Sequence, residues 1–380
     1  MTLSRRGLLQ TGAALAASGA GLGLAACATT PASGEGATLK ALAEAKGLFF
    51  GNAVGAGRPF ADPAYRALTA RECDVLTCEN EMKWYVLRAE SEDFLWEPAD
   101  RLVAFAEQNA MRVRGHTLLW HHPRWFPRWT ESHDYGANPA REAERLVTTH
   151  INETCRRYPQ VFAWDVINEA VDDQTGALRD TVFSRHFGGP EATMDLAFHA
   201  TRAAAPNAEL FYNDYMSWEA GHENHRAGVL RLLEGFKRRG VPIDGLGIQS
   251  HIGSGNSDNS VGFDTAQERE WRTFVDEVVG MGLKISITEF DVHDKNLPVD
   301  IASRDAAVAE LGRRYLDMML SYPQLDGIVC WGLSDKFSWL QENWVRSDGE
   351  AKRPCPYDDA MQPKSLREAI AASLRRANAR

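Results

Sequence analysis

Two glutamates stand out because each follows a short apolar segment within a cluster of polar and aromatic residues. Glu169 ends the stretch 164–169, and Glu289 lies within the stretch 287–291. Such a pair can hydrolyse a glycosidic bond, since one carboxyl protonates the leaving oxygen while the other attacks the anomeric carbon or activates water. In the alternative, each glutamate pairs with a local arginine or lysine in a structural role. The chemistry requires a fold that joins residues 120 positions apart (289 − 169).

Short apolar runs alternate with amphipathic segments along most of the chain, and they predict the elements that would position these glutamates. The runs predict eight strands: Leu48–Ala53, Asp74–Cys78, Arg112–Leu118, Val161–Ile167, Glu209–Asn213, Gly245–Gln249, Lys284–Thr288 and Gly327–Trp331. Between them, residues 229–236 and 308–319 carry apolar side chains at helical spacing. This alternation predicts an α/β fold, a single (β/α)8 TIM barrel. An open doubly wound sheet is the alternative, but no G-x-G-x-x-G follows the first strand.

A barrel of this kind carries its reactive side chains at the carboxyl ends of the strands. Seven of the eight predicted strands end in residues that can ionise, hydrogen-bond or stack, within the stretches 79–84, 116–120, 164–169, 212–215, 249–251, 288–291 and 331–335. Crowding polar groups there costs desolvation, so the pattern favours function over folding alone. Glu169 and Glu289 end the fourth and seventh strands and are expected to face each other across the barrel mouth.

The composition narrows the class of protein. The chain has 380 residues, 44% of them hydrophobic, and a formal net charge of −10, which argues against nucleic acid as a partner. His116, His121 and His122 are not accompanied by a metal-ligand pattern, so neither a metal nor another cofactor is predicted. Of 11 tryptophans, eight are expected at the substrate face, at or beyond strand ends: Trp84, Trp120, Trp125, Trp129, Trp218, Trp331, Trp339 and Trp344.

The N-terminus predicts an export signal. Arg5 and Arg6 precede an uncharged run from Gly7 to Ala26, a pattern typical of a twin-arginine signal. Five glycines in the run argue against a membrane-spanning helix. The residues up to Cys27 match a bacterial lipobox, in which this cysteine would be lipidated; cleavage after Ala28 is the alternative.

The chain is therefore predicted to divide into a signal at 1–27, a flexible tether at 28–39 and a catalytic barrel at 40–380. The mature protein is expected to be a monomer. We expect it in the periplasm or anchored in the envelope as a lipoprotein, and secretion is the alternative. It would touch a membrane only through its lipid. Five cysteines remain besides Cys27, an odd number, so at least one should be unpaired.

The strand-end motifs resemble glycoside hydrolase family 10, the endo-β-1,4-xylanases. Seven motifs match in order, namely 79–84, 114–121, 164–170, 212–215, 249–251, 287–291 and 331–339, and a tail at 353–364 also fits. The resemblance covers roughly residues 40–375. It implies a retaining enzyme that cleaves internal bonds of xylan and xylo-oligosaccharides by double displacement through a covalent glycosyl-enzyme.

The resemblance also implies residue roles. Glu169 would be the acid/base and Glu289 the nucleophile, which requires environments that push their pKa values apart. Asn168 would bond the sugar 2-OH, Asp291 would orient His251, and His251 would fix the nucleophile. Further substrate contacts are expected from Glu79, Asn80, Lys83, His116 and Gln249 on the glycone sugars, from Trp120, Trp331 and Trp339 as walls, and from Tyr215 on the aglycone side.

The sequence departs from the family at Met216, where a small polar residue is usual. The stretches 125–129 and 340–355 are expected to reshape the ends of the cleft. Two alternative functions are compatible with the sequence. One is a barrel β-glucanase, which must accommodate the C6 hydroxymethyl that xylose lacks, and the other is a non-catalytic envelope lipoprotein that binds xylan fragments. The second would need neither an acid nor a nucleophile.

Overall fold

A closed ring of parallel strands forms the centre of the computed structural model, which describes residues 36–253 and 262–380. The strands are β1 (Phe49–Val54), β2 (Val75–Cys78), β3 (Arg112–Trp120), β4 (Val161–Asn168), β5 (Glu209–Asp214), β6 (Gly245–Ile248), β7 (His251–Ile252), β8 (Lys284–Val292) and β9 (Leu325–Cys330). Neighbouring strands pair in the order β1-β2-β3-β4-β5-β6-β8-β9, and β9 pairs back with β1. The predicted (β/α)8 barrel is confirmed.

The predicted strands match the observed ones within two residues at each end except at β8. That strand runs to Val292 rather than Thr288, because its last residues pair with β9 and with the two-residue strand β7. In β7, His251 is directly opposite Asp291. The extension therefore puts Glu289 and Asp291 inside a strand, where their positions are fixed by backbone pairing.

Helices lie between the strands and cover the barrel. Their bounds are α1 (Leu39–Glu44), α2 (Arg58–Ala61), α3 (Pro63–Glu72), α4 (Trp84–Leu87), α5 (Glu97–Gln108), α6 (Arg128–Ser132), α7 (Pro139–Arg157), α8 (Val182–His186), α9 (Pro190–Ala204), α10 (Glu223–Arg239), α11 (Thr265–Gly280), α12 (Ile301–Met319) and α13 (Ser365–Arg376). The two amphipathic faces predicted from spacing are buried in α10 and α12. In residues 36–253 and 262–380, no helix has the length and apolarity of a membrane span.

The barrel interior is filled by side chains, and β1 is buried at all six of its positions. Close packing requires glycine on β3, since a Cβ at Gly115 would lie 2.1 Å from the ring of Trp164 on β4. Trp164 is fully buried, so this strand pair has no space for a larger residue.

The described residues include the last part of the predicted tether, before the predicted barrel boundary at residue 40. Ala37 and Leu39 are buried, the Thr38 side chain caps α1, and Arg367 donates a hydrogen bond to the Ala37 carbonyl oxygen. The tether prediction is therefore wrong for residues 37–39, because Leu39 packs as the first residue of α1. The predicted signal, Cys27 and residues 28–35 lie outside the described residues.

All five cysteines in the described part of the chain are buried and none forms a disulfide: Cys73, Cys78, Cys155, Cys330 and Cys355. Burial raises the pKa of each thiol above its usual value. These groups are therefore neutral, packed side chains, and they add no reactive thiolate to the barrel mouth.

Candidate active site

A cleft of about 670 Å³ opens at the carboxyl ends of the strands. Twelve of the fourteen barrel residues predicted for the site line it: Glu79, Asn80, Lys83, Trp120, Glu169, Tyr215, Gln249, His251, Glu289, Asp291, Trp331 and Trp339. The other two, His116 and Asn168, are buried and are not among the lining residues. Direct contact of these two with substrate stays a prediction.

Glu289 is buried on β8 and held by one neutral and one charged group. Its Oε1 accepts a hydrogen bond of 2.8 Å from Asn213 Nδ2, and its Oε2 lies 3.2 Å from His251 Nε2. The opposite ring nitrogen of His251, Nδ1, lies 3.0 Å from Asp291 Oδ1. The carboxylate, imidazole and second carboxylate thus form a line, with the histidine between two acids.

The contacts among Glu289, His251 and Asp291 set the protonation states of Glu289 and His251. Burial alone would lower the pKa of His251, but Asp291 and Glu289 outweigh burial and raise that pKa to about 10. Burial would likewise raise the pKa of Glu289, but the hydrogen bond from His251 and nearby positive charge, including that of Lys83, lower it to about 2. Glu289 is therefore ionised throughout the neutral and mildly acidic range.

Glu169, at the end of β4, has a left-handed backbone (φ 53°). That conformation is anchored by a hydrogen bond from its own N–H to the Asn213 carbonyl and by one from Arg179 Nη1 to its carbonyl oxygen, both 2.9 Å. Its carboxyl oxygens accept hydrogen bonds of 2.9 Å from Gln249 Nε2 and from Trp120 Nε1. Both donors are uncharged.

Burial, and after it the negative charge of Asp214, raise the pKa of Glu169 to about 7. The hydrogen bonds from Gln249 and Trp120 act in the opposite direction but do not cancel this increase. Two carboxyl groups in one cleft thus differ by about five pKa units, because a protonated histidine touches one of them while the other meets only neutral donors. At mildly acidic pH one carboxyl group is therefore protonated while the other is ionised.

An amide network connects the two glutamates beneath the cleft. Asn168 Oδ1 accepts hydrogen bonds from Asn213 Nδ2 at 2.9 Å and from Gln249 Nε2 at 3.4 Å. Thr288 donates to Asn213 Oδ1 at 2.6 Å, which turns the Asn213 amide nitrogen toward Glu289. Gly247 leaves room for this amide, since a Cβ there would lie 2.3 Å from Asn213 Oδ1.

Sequence reasoning did not identify Asn213 or Arg179 as site residues. Asn213 lies inside a recognised strand-end motif, so its position was the available signal. Arg179 belongs to a loop without any motif; it also donates to the Tyr215 hydroxyl at 3.1 Å. Tyr215 is thereby fixed at the rim of the cleft beside the backbone of Glu169.

Lys83 lines the same cleft as Glu289. Its Nζ lies 4.7 Å from the Trp120 ring centroid and 5.5 Å from that of Trp331, and it donates to Asn80 Oδ1 at 3.1 Å. Tyr85 donates to the same oxygen at 2.7 Å. Burial lowers the pKa of this lysine, although the surrounding glutamates oppose the effect. A hydroxyl-bearing ligand would meet fixed donors and aromatic faces here.

Burial raises the pKa of Glu79 to about 6, and the positive charge of Lys83 only partly offsets this increase.

The aromatic wall is connected to the groups around Glu289. Trp339 Nε1 donates to Asp291 Oδ2 at 2.8 Å, which links this wall to the row formed by Glu289, His251 and Asp291. The His116 ring meets the Trp331 ring edge-on at 5.3 Å, and its Nδ1 lies 2.9 Å from Asp165 Oδ2. In the structure, His116 therefore contacts the cleft wall through Trp331.

The predicted distribution of tryptophans is partly wrong. Five of the eight line the cleft, namely Trp120, Trp125, Trp331, Trp339 and Trp344. Trp84 is buried against the His150 ring, Trp218 is buried against Phe263, and Trp129 donates to the Arg88 carbonyl. These three indoles pack against other parts of the protein, so a position after a strand end does not by itself fix where an indole points.

The histidines near β3 belong to the protein's own hydrogen-bond network: His121 Nε2 lies 3.0 Å from the Arg179 carbonyl, and the His122 side chain accepts from Arg124 N–H. Within the described residues, one group, Glu92, His133 and Glu142, has ligand atoms close enough for a metal ion. Arg145 already bridges both of its carboxylates at 2.7–3.0 Å. The guanidinium of Arg145 therefore already provides a positive charge to the carboxylates of Glu92 and Glu142.

A (β/α)8 barrel with one protonated and one ionised carboxyl group in an aromatic cleft defines a glycoside-cleaving hydrolase. The sequence profile of glycosyl hydrolase family 10 matches residues 38–373, and the chain belongs to that family.

Named relatives agree with this membership. The chain is 33% identical over 344 residues to endo-1,4-beta-xylanase A of Cellvibrio japonicus, covering 83% of this chain and 52% of that protein, so it spans about half the length of that relative. It is 31% identical to endo-1,4-beta-xylanase 5 of Pyricularia oryzae, covering 88% and 78%. The crystal structure of xylanase 10B from Thermotoga petrophila with xylobiose has a TM-score of 0.77 at 30% identity, covering 90% of this chain and 98% of that one.

Proposed function

We propose that this protein is a retaining endo-1,4-β-xylanase that cleaves internal bonds of xylan by double displacement. The observation that carries the proposal is the contrast between Glu289, held ionised by His251, and Glu169, whose carboxyl oxygens accept hydrogen bonds only from neutral donors. Relatives at 31–33% identity are named endo-1,4-beta-xylanases, and a related structure contains xylobiose. The cleft also carries the aromatic walls that stack on sugar rings.

In the first step, a Glu289 carboxylate oxygen attacks the anomeric carbon while Glu169 gives its proton to the bridging oxygen, which leaves as an alcohol. A covalent glycosyl-enzyme on Glu289 results. Neutralising Glu289 by esterification removes a negative charge from the cleft, which favours ionisation of Glu169. Glu169 then takes a proton from water, the hydroxide attacks the anomeric carbon, and Glu289 is released as a carboxylate.

The decisive experiment is a product profile on xylan and on cellulose, measured for the wild type and for Glu289→Ala. We expect wild-type release of a series of xylo-oligosaccharides from xylan and little from cellulose. Glu289→Ala should lose hydrolysis while keeping xylan binding. Glu342→Ala, in an exposed glutamate of the loop after β9, is the matched control and should retain full activity. Equal hydrolysis by wild type and Glu289→Ala would refute the mechanism.

Stereochemistry is tested separately by proton NMR of the first product. A β-anomer is expected, whereas an early α-anomer from a β-xylan would contradict retention. For Glu169→Ala, added azide should restore turnover of an activated aryl xylobioside, because a small anion can attack the glycosyl-enzyme without general base help. Azide rescue of Glu289→Ala with the same product anomer would reverse the assignment of the two roles.

We also propose that residues 1–27 direct twin-arginine export and that Cys27 carries a lipid, with a monomeric barrel held at the envelope. The support is the Arg5-Arg6 pair, the uncharged run after it and the lipobox-like residues before Cys27. Mass spectrometry of the mature N-terminus tests the proposal. A diacylglyceryl cysteine supports it; a mature chain that starts at Thr29, after cleavage behind Ala28, contradicts lipidation.

A further inference from the structure

Trp344 extends the aromatic wall beyond the residues that surround the two glutamates. It lines the cleft, yet its side chain is 55% exposed, unlike the buried Trp331. Its ring meets that of Trp339 edge-on at 5.2 Å, and Trp339 in turn lies 4.9 Å from the His251 ring. The three rings therefore lead outward from the nucleophile's partner to the rim of the cleft.

The loop that carries Trp344 is tightly fixed. Arg346, which is buried, donates to the carbonyl oxygens of Asp294 and Leu297 and pairs with Asp348. On the other side, Asn343 Nδ2 donates to the Trp339 carbonyl at 2.8 Å. The loop is thus bonded to the segment after β8 and to the cleft wall, and the position of the exposed indole is set by these contacts.

Two features of Trp344 oppose folding stability. Its backbone has a φ of 49°, a left-handed conformation that bulky residues rarely adopt. More than half of a large apolar side chain also remains in water. A fold selected only for stability would place a glycine or a polar residue here. The arrangement is explained if the exposed ring face is covered by ligand.

We propose that Trp344 forms a distal subsite that stacks one uncharged pyranose ring of a xylan chain longer than the central site holds. The inference rests on the proposed xylanase function and deepens it. The charged groups beside the ring are already engaged within the protein: Arg346 pairs with Asp348, and the buried Lys352 ammonium donates to the Asn343 carbonyl. His293, 6.1 Å away, is neutral at working pH because burial, with the charge of Lys352, lowers its pKa to about 3. A neutral sugar fits this site better than an acidic one.

The test compares Trp344→Ala with wild type on a short and a long substrate. With xylohexaose, kcat/KM should fall roughly threefold to tenfold, the loss expected for one sugar-aromatic stacking contact, mainly through KM. With an aryl xylobioside, which occupies only the central site, kcat/KM should stay within about twofold. Trp344→Tyr should recover most of the xylohexaose activity because it keeps a flat ring.

Val345→Ala is the matched control, since Val345 is the next residue in the same loop, is 67% exposed and does not line the cleft. It should leave both substrates unaffected. Equal losses of Trp344→Ala on the short and the long substrate, no loss on either, or the same long-substrate loss in Val345→Ala would each overturn the subsite. A wild type that cleaves neither substrate would overturn the proposed function as well, so the two failures are distinguishable.

Discussion

The hydrogen bond from Trp120 Nε1 to Glu169 gives a prediction with an unusual sign. The indole N–H lies 2.9 Å from Glu169 Oε2 and stabilises the ionised carboxylate more than the neutral acid. Trp120→Phe removes the donor and keeps an apolar ring. The pKa of Glu169 should therefore rise, and since Glu169 must be protonated for the first step, the enzyme should stay active to higher pH.

The magnitude follows from the geometry. A hydrogen bond to a charged group contributes about 1.5–3 kcal/mol, and the low end applies because water can enter the cleft after the substitution. One pKa unit corresponds to about 1.36 kcal/mol. The pKa of Glu169, about 7 in the wild type, should accordingly move up by roughly one unit. The acidic side of the profile, set by Glu289 with a pKa of about 2, should not move.

The assay is kcat/KM as a function of pH on an unactivated xylo-oligosaccharide, since this ratio reports the pKa values of the free enzyme. An aryl glycoside with a good leaving group is unsuitable for this purpose because it needs no proton from Glu169. Trp125→Phe is the control: Trp125 stacks on Trp120 at 4.6 Å and lines the same cleft. A basic limb that stays in place or moves to lower pH in Trp120→Phe, or that moves equally in Trp125→Phe, would refute the reasoning.

Three further predictions concern groups that support the two glutamates or the barrel. Asp291→Asn should move the acidic limb of kcat/KM upward by about one pH unit, because loss of this carboxylate lowers the pKa of His251 and weakens the positive partner that keeps Glu289 ionised. Gly247→Ala should lower kcat/KM on the order of tenfold in steady-state assays, since the new Cβ displaces Asn213 and its hydrogen bond to Glu289. Lys364→Met should cost about 3–5 kcal/mol in urea unfolding, because it leaves Asp335, 2.9 Å from Lys364 Nζ, buried without its cation.

Each of these has its own check. For Asp291→Asn, an unchanged acidic limb would show that His251 keeps its charge without Asp291. For Gly247→Ala, unaltered turnover would mean that Asn213 tolerates displacement. For Lys364→Met, the matched control is Lys336→Met in the exposed pair with Asp62, where little change is expected. The loss in Lys364→Met should also shrink as pH falls, because burial already raises the pKa of Asp335 to about 7 and its protonated form needs no cation; a loss that grows at low pH would contradict the pairing.

The sequence predicted the architecture well because its signal is local. Period and composition identify each strand and helix within a short window, and a barrel built from such units carries reactive groups at one end of the sheet. For that reason Glu169, Glu289, His251 and Asp291 could be assigned to one cleft from strand-end positions alone. The error at the end of β8 arose where pairing with β7 and β9, rather than residue preference, extended the strand.

Tertiary structure decided what the sequence could not specify, namely the charges and the directions of side chains. The pKa values of about 7 and about 2 depend on burial and on which groups touch each carboxyl, and those groups come from five different strands and loops. Trp84 and Trp218 turned into the core while Trp344 stayed at the rim, although all three follow strand ends. The sequence thus supplies two glutamates at strand ends, but the different charges on which their proposed roles as acid and nucleophile depend arise only in the folded protein, where distant segments desolvate Glu169 and bring a protonated histidine to Glu289.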